Sequence, residues 1–144
     1  LDFKKLHPSG SLGAKLKTVE DIMLTGKEIP FVNENLKMSK ALDILTKKKL
    51  GILIVRNKNR KTSGIITDGQ IRRFNQRKSD FKLLPVKKIM TKNPISVDKE
   101  MLAVKSLSIM SENKITSLCV HKKNSPKKTI GVLHIHNILD GNIS

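Results

Sequence analysis

Hydrophobic and polar positions along this chain follow a pattern that occurs twice, about 65 residues apart. In the first copy Phe31-Val32 forms a short apolar pair after Pro30. Met38, Ala41, Leu42 and Leu45 then recur at helical spacing, which predicts one amphipathic helix, with Asn33 as its N-cap. Ile52-Leu53-Ile54-Val55 is an unbroken apolar run, the mark of a strand covered on both faces. A polar, basic loop from Arg56 to Thr62 leads to a second strand, Gly64-Ile65-Ile66-Thr67, and to a short helix from Gln70 to Gln76. The second copy keeps the order: Ile95-Ser96-Val97, an N-cap at Asp98, a helical stripe of Ala103, Leu107 and Met110, strands Leu118-Cys119-Val120 and Ile130-Gly131-Val132-Leu133, and a last helix around Asn137 to Leu139.

Each copy opens with an Ile-Met pair, Ile22-Met23 and Ile89-Met90. The copies stay in register through helix and middle strand. Their length differences fall before the first strand and in the strand-to-strand hairpin, where loops tolerate insertion. The expected fold is therefore α/β (α+β): two strand–helix–strand–strand–helix repeats, residues 18–78 and 79–144, packed with pseudo-twofold symmetry because one copy alone has too small a core. Residues 1–17 are turn-rich and read as a linker from a preceding domain, so the chain is expected to be part of a longer protein.

Composition narrows the chemistry. With four Phe and neither Trp nor Tyr, the core must be aliphatic. The single cysteine, Cys119, lies in an apolar run and is expected to be a buried thiol in a reducing compartment. No apolar stretch reaches the roughly 18 residues that span a bilayer, and no secretory signal opens the chain, so a cytoplasmic, non-membrane protein is expected. The net charge of +17 suits an acidic ligand. It argues little for nucleic acid, because the lysine clusters are scattered and no aromatic residues interleave with them.

Thr67, Asp68 and Gln70 stand where a strand hands over to a helix, whose first N–H groups suit a phosphate or carboxylate; Arg72 and Arg73 follow within a turn as planar forks. The bland alternative is a capped helix with a solvated Arg face, and Asp68 in particular reads as a cap. His134 and His136 are the second-copy counterparts of Thr67 and Gly69 and are candidates to line a crevice. No further ligand stands at a spacing that would complete a metal site, so none is expected. Thr116 and Ser117, ahead of the middle strand, offer hydroxyls to a sugar or to local backbone. His121 is placed in the hairpin, facing solvent. No P-loop, dinucleotide fingerprint or catalytic triad is present.

Two such units, each closing with Gly-x-x-(Thr/His) ahead of a helix, resemble a tandem cystathionine-β-synthase (CBS) domain pair over residues 18–144. The start His7-Pro8-Ser9-Gly10-Ser11-Leu12-Gly13, together with Val19-Glu20-Asp21-Ile22-Met23, Thr67-Asp68-Gly69, Arg72-Arg73 and Ile115-Thr116-Ser117, is similar to the C-terminal part of D-arabinose 5-phosphate isomerases. Those enzymes join a sugar-isomerase (SIS) domain to a CBS pair and serve synthesis of Kdo, the acidic sugar of lipopolysaccharide. The resemblance implies a regulatory module that needs no cofactor and has three partners: a SIS domain in the same chain, an anionic ligand such as the nucleotide-sugar CMP-Kdo, and a second copy docked through its helices. It also implies that His7 is an acid–base candidate acting only beside the SIS domain, so this piece alone should be inactive. Ser9 and Ala14 depart from the family's usual linker Gly and Arg. Gln70 and Asn137 stand where nucleotide-binding modules often carry an Asp for the ribose hydroxyls. A general adenine-nucleotide sensor and a basic nucleic-acid-binding module are the competing expectations.

Overall fold

A computed structural model of the chain describes residues 16–76 and 80–140. His7 and the other linker residues before position 16 lie outside them. The elements in chain order are helix α1 (Val19–Ile22), strand β1 (Phe31–Asn33), helix α2 (Met38–Lys48), strands β2 (Ile52–Arg56) and β3 (Thr62–Thr67), helix α3 (Asp68–Gln76), strands β4 (Thr91–Lys92) and β5 (Ser96–Asp98), helix α4 (Ala103–Asn113), strands β6 (Ser117–His121) and β7 (Thr129–His134), and helix α5 (Ile135–Asp140). The predicted strand–helix–strand–strand–helix order is present in both copies.

The described residues fall into two compact units: those within Lys27–Pro94, and those before Lys27 together with those after Pro94. In the first, β1 pairs parallel with β2, and β2 antiparallel with β3, which carries β4 on its outer edge. The apolar stripe of α2 buries Met38, Ala41 and Leu45 against Leu53, Val55 and Ile66. In the second, β5 pairs parallel with β6 and β6 antiparallel with β7, and α4 buries Ala103 and Met110 against Leu118, Val120 and Leu133. Cys119 is 1% exposed, and burial pushes its thiol up to about 12, so it stays protonated at neutral pH.

The unit boundaries differ from the 18–78 and 79–144 division expected from the repeat. The segment opening each copy packs on the other copy's sheet. Val19, Ile22 and Met23 join the core of the β5–β7 unit, whereas Val86, Ile89 and Met90 join that of the β1–β4 unit. The reason is an unpaired edge. The outer side of β3 takes Thr91 and Lys92 opposite Ile65 and Gly64, and β7 takes Leu24 through two hydrogen bonds with Val132, of 2.9 and 3.0 Å.

The same segments replace the expected N-caps. The first N–H groups of α2 donate to Leu84 O and Lys82 O, and that of α4 donates to Lys17 O. Backbone carbonyls from the incoming segment thus satisfy the donors that a side-chain cap would otherwise serve. Asn33 and Asp98 instead accept from Asn35 N and Glu100 N, closing turns several residues before the helices begin.

Candidate functional site

In each unit the second strand of the hairpin, β3 or β7, runs into the first residue of the helix that follows, and the hairpin's first strand begins beside that corner. Register places Ile52 opposite Thr67, and Asp68 N donates to Gly51 O at 3.1 Å. In the other unit Ser117 lies opposite His134, and Ile135 N donates to Thr116 O at 2.8 Å. The fold thus gathers Thr67, Asp68 and Gln70 at one sheet end of the β1–β4 unit, with Arg73 reaching back beside Gly69. Within the β5–β7 unit it gathers Thr116, Ser117, His134, His136 and Asn137. Asp68, Arg72, Arg73, Thr116 and His136 are exposed.

Gln70 is 7% exposed and its amide is fully engaged. Its Oε1 accepts from Thr67 N at 2.9 Å and from Thr67 Oγ1 at 3.4 Å; its Nε2 donates to Ile89 O at 3.2 Å and Thr91 Oγ1 at 2.7 Å. Thr67 Oγ1 in turn accepts from Gln70 N at 3.4 Å, completing a capping box. Gln70 therefore clasps β4 and its approach segment to the strand-to-helix corner and has no group left over for a ribose hydroxyl. Asn137 repeats the capping bond, accepting from His134 N at 2.8 Å.

The β5–β7 corner keeps free polar groups. Ser117 Oγ is buried and has no hydrogen-bond partner among the described residues. Native structures rarely leave such an atom without protein or water to bond. His134 Nδ1 accepts from His136 N at 3.1 Å, which puts the proton of the neutral ring on Nε2, and the two rings stack with centroids 4.7 Å apart. Partial burial, then the neighbouring His136, hold the His134 pKa below its ordinary 6.5. A folded-state pKa below the unfolded one contributes stability that is complete above about 6.5 and is lost as pH falls through the folded value. Denaturation midpoints measured from pH 7.5 down to 5 should therefore fall, and fall less in His134→Gln; equal slopes in the two proteins would contradict this.

No group of His, Cys, Asp or Glu among the described residues could hold a metal ion, and no described helix is long and apolar enough to cross a membrane. His121 is not a loop residue: it ends β6, half-buried, with Nδ1 2.6 Å from Ser96 Oγ. Sequence reasoning passed over a cavity of about 230 Å³ lined by Phe31, Asn33, Arg56 and Arg60. Its one signal was a pair of arginines bracketing the hairpin of a chain that otherwise favours lysine.

Duplicated units of this topology, each with a polar corner between the second hairpin strand and the helix that follows it, define a tandem α/β repeat. The CBS domain model matches residues 19–76 and 86–142, and the chain belongs to that family. It is 40% identical over 139 residues to the arabinose 5-phosphate isomerase KdsD of Salmonella typhi, covering 96% of this chain and 42% of the isomerase. The chain thus spans less than half the length of the curated relatives it matches. Among solved structures, CBSX2 in complex with AMP matches with a TM-score of 0.72 at 23% identity, covering 85% of this chain and 93% of that one. The CBS pair of MJ0100, in complex with 5′-methylthioadenosine and S-adenosyl-L-methionine, matches with a TM-score of 0.74 at 22% identity over 87% and 94%.

Proposed function

We propose that this chain is the regulatory CBS pair of an arabinose 5-phosphate isomerase, and that it senses an anionic nucleotide or nucleotide-sugar such as CMP-Kdo. The observation that carries this reading is the 40% identity to KdsD across 96% of the chain. In the whole cytoplasmic enzyme a preceding SIS domain interconverts ribulose 5-phosphate and arabinose 5-phosphate for Kdo and lipopolysaccharide synthesis, with His7 near its active site. The pair alone is inactive and associates as a dimer through its helices.

The β5–β7 corner is where the ligand binds. The exposed hydroxyl of Thr116 and the Nε2–H of His134 offer bonds to a sugar hydroxyl or carboxylate, the buried and unpartnered Ser117 Oγ joins them after a small local shift, and the net charge of +17 draws an anion. In the β1–β4 unit Thr67, Asp68, Arg72 and Arg73 offer a weaker site, because Gln70 is committed to the clasp. Regulation requires that the ligand bind one arrangement of the full enzyme more tightly than another.

Titration calorimetry with CMP-Kdo, CMP, AMP and ATP tests the reading. CMP-Kdo should bind saturably, and Ser117→Ala should weaken it about tenfold, the loss of one hydrogen bond worth about 1.4 kcal/mol. Binding of AMP or ATP with none of CMP-Kdo would replace it with an adenine-nucleotide sensor. That second reading is supported by the AMP of CBSX2 and the adenosine ligands of MJ0100. Against it stand the two capping amides, Gln70 and Asn137, where a ribose-binding acid is common.

A further inference from the structure

We propose that the hairpin end of the β1–β4 unit is an anion site that takes the phosphoryl group of a small phosphomonoester. It lies at the far end of the sheet from Thr67: β2 begins opposite Thr67 and ends at Arg56, beside the C-terminal end of β1. The cavity there, about 230 Å³, is lined by Phe31, Val32, Asn33 and the hairpin residues Arg56, Asn57, Lys58 and Arg60. It falls below the roughly 300–1,000 Å³ of sites for drug-sized ligands, so its occupant is small.

Polarity identifies that occupant. Asn33 Oδ1 is taken by Asn35 N, and Asn57 Oδ1 by Asn59 N and Lys61 N, at 2.8 to 3.0 Å. The side-chain groups left over are mostly donors: two amide NH₂ groups, two guanidinium groups and one ammonium, against one lone pair of Asn33 Oδ1. No carboxylate among the described residues pairs with Arg56 or Arg60. Glu34, whose N–H donates to Arg56 O, turns its carboxylate to Ser63 Oγ. The Arg56 guanidinium lies over the Phe31 ring at 3.6 Å, which fixes the plane of its fork. Burial, then the charge of Arg60, pull the Arg56 pKa down, a repulsion that a bound anion relieves.

Arg60 supplies a second, independent sign. It sits at φ 61°, a left-handed conformation that glycine or asparagine adopts far more readily, in the hairpin turn that Asn57 and Lys61 close. Lys49 and Lys114 share this conformation only as helix C-caps, whereas the other hairpin fills its left-handed position with Asn124 at φ 67°, the ordinary choice for a turn. The duplicated unit lacks the arginines. Ser96 takes the register position of Phe31, His121 that of Arg56, and Asp98 puts a carboxylate where Asn33 stands.

The test is a titration of the 144-residue chain, followed by NMR of backbone amides and Arg side-chain Nε–H groups. The titrants are inorganic phosphate and glycerol 3-phosphate, with sodium chloride at matched ionic strength. Saturable shifts confined to Phe31, Asn33 and Arg56 to Lys61 are expected with both phosphates, the ester binding the tighter. Arg60→Gly, which suits the left-handed turn, should keep or raise the melting temperature while weakening phosphate at least fivefold. Arg56→Lys, which keeps the charge but not the fork, should weaken it similarly. Unsaturable shifts, equal shifts in chloride, or unchanged affinity in Arg60→Gly overturns the proposal. Binding of CMP-Kdo at the Ser117 corner is unaffected by Arg60→Gly, so the two readings stand or fall separately.

Discussion

Placing a single methyl group at Gly64 should destabilise the β1–β4 unit by about 3 kcal/mol, near the upper end for overpacking a tight site. A Cβ at Gly64 would lie 2.5 Å from Thr91 O and 2.8 Å from Met90 Sδ. The methionine side chain can yield, but the carbonyl belongs to β4, whose pairing with Gly64 and Ile65 closes the sheet edge. Moving it breaks that pairing and pulls Ile89 and Met90 from the core. Gly131 is the counterpart in the other unit, where an added Cβ would overlap Met23 Sδ and stand 3.1 Å from Leu24 O. Gly131→Ala should therefore cost a similar amount. Urea unfolding gives the magnitudes, and amide exchange locates them: Gly64→Ala should unprotect Ile65 and Thr91 first, Gly131→Ala Val132 and Leu24. A loss below about 1 kcal/mol in both variants would show that the approaching segments adjust freely.

Gln70→Ala should cost about 2–3 kcal/mol, whereas Asn137→Ala should cost about 1. Removing the Gln70 amide strips the partner from Thr67 N, leaves Ile89 O without its donor at a buried position, and frees Thr91 Oγ1 to solvent. Asn137 serves one capping bond, the ordinary worth of which is about 1 kcal/mol. The two amides are equivalent in sequence and unequal in work, because only Gln70 reaches a second element. Equal losses in paired thermal melts would refute that difference.

Most secondary structure was legible because the local pattern and the tertiary environment agree. The Met38–Leu45 stripe is buried as its spacing requires, and the Ile52–Val55 run is covered on both faces. Capping was misread at Asn33 and Asp98 because the donors of α2 and α4 are satisfied by carbonyls distant in sequence, which no local pattern records. Corner residues were found because a strand-to-helix handover is local. What they do was not: nothing in the sequence says that Gln70 is spent and Ser117 Oγ unmet. The arginine-lined hairpin was passed over because its character depends on which amide oxygens are already bonded.

By itself the sequence determined a duplicated strand–helix–strand–strand–helix unit, its aliphatic core positions and its corner residues, since these follow from periodicity and from bonds between near neighbours. The tertiary structure alone decided that Ile22-Met23 packs with the second copy and Ile89-Met90 with the first. A repeat reads the same whether its opening segment folds onto its own copy or the other. The choice falls to the open edges of β3 and β7 and to the glycines at Gly64 and Gly131, which let a backbone approach there.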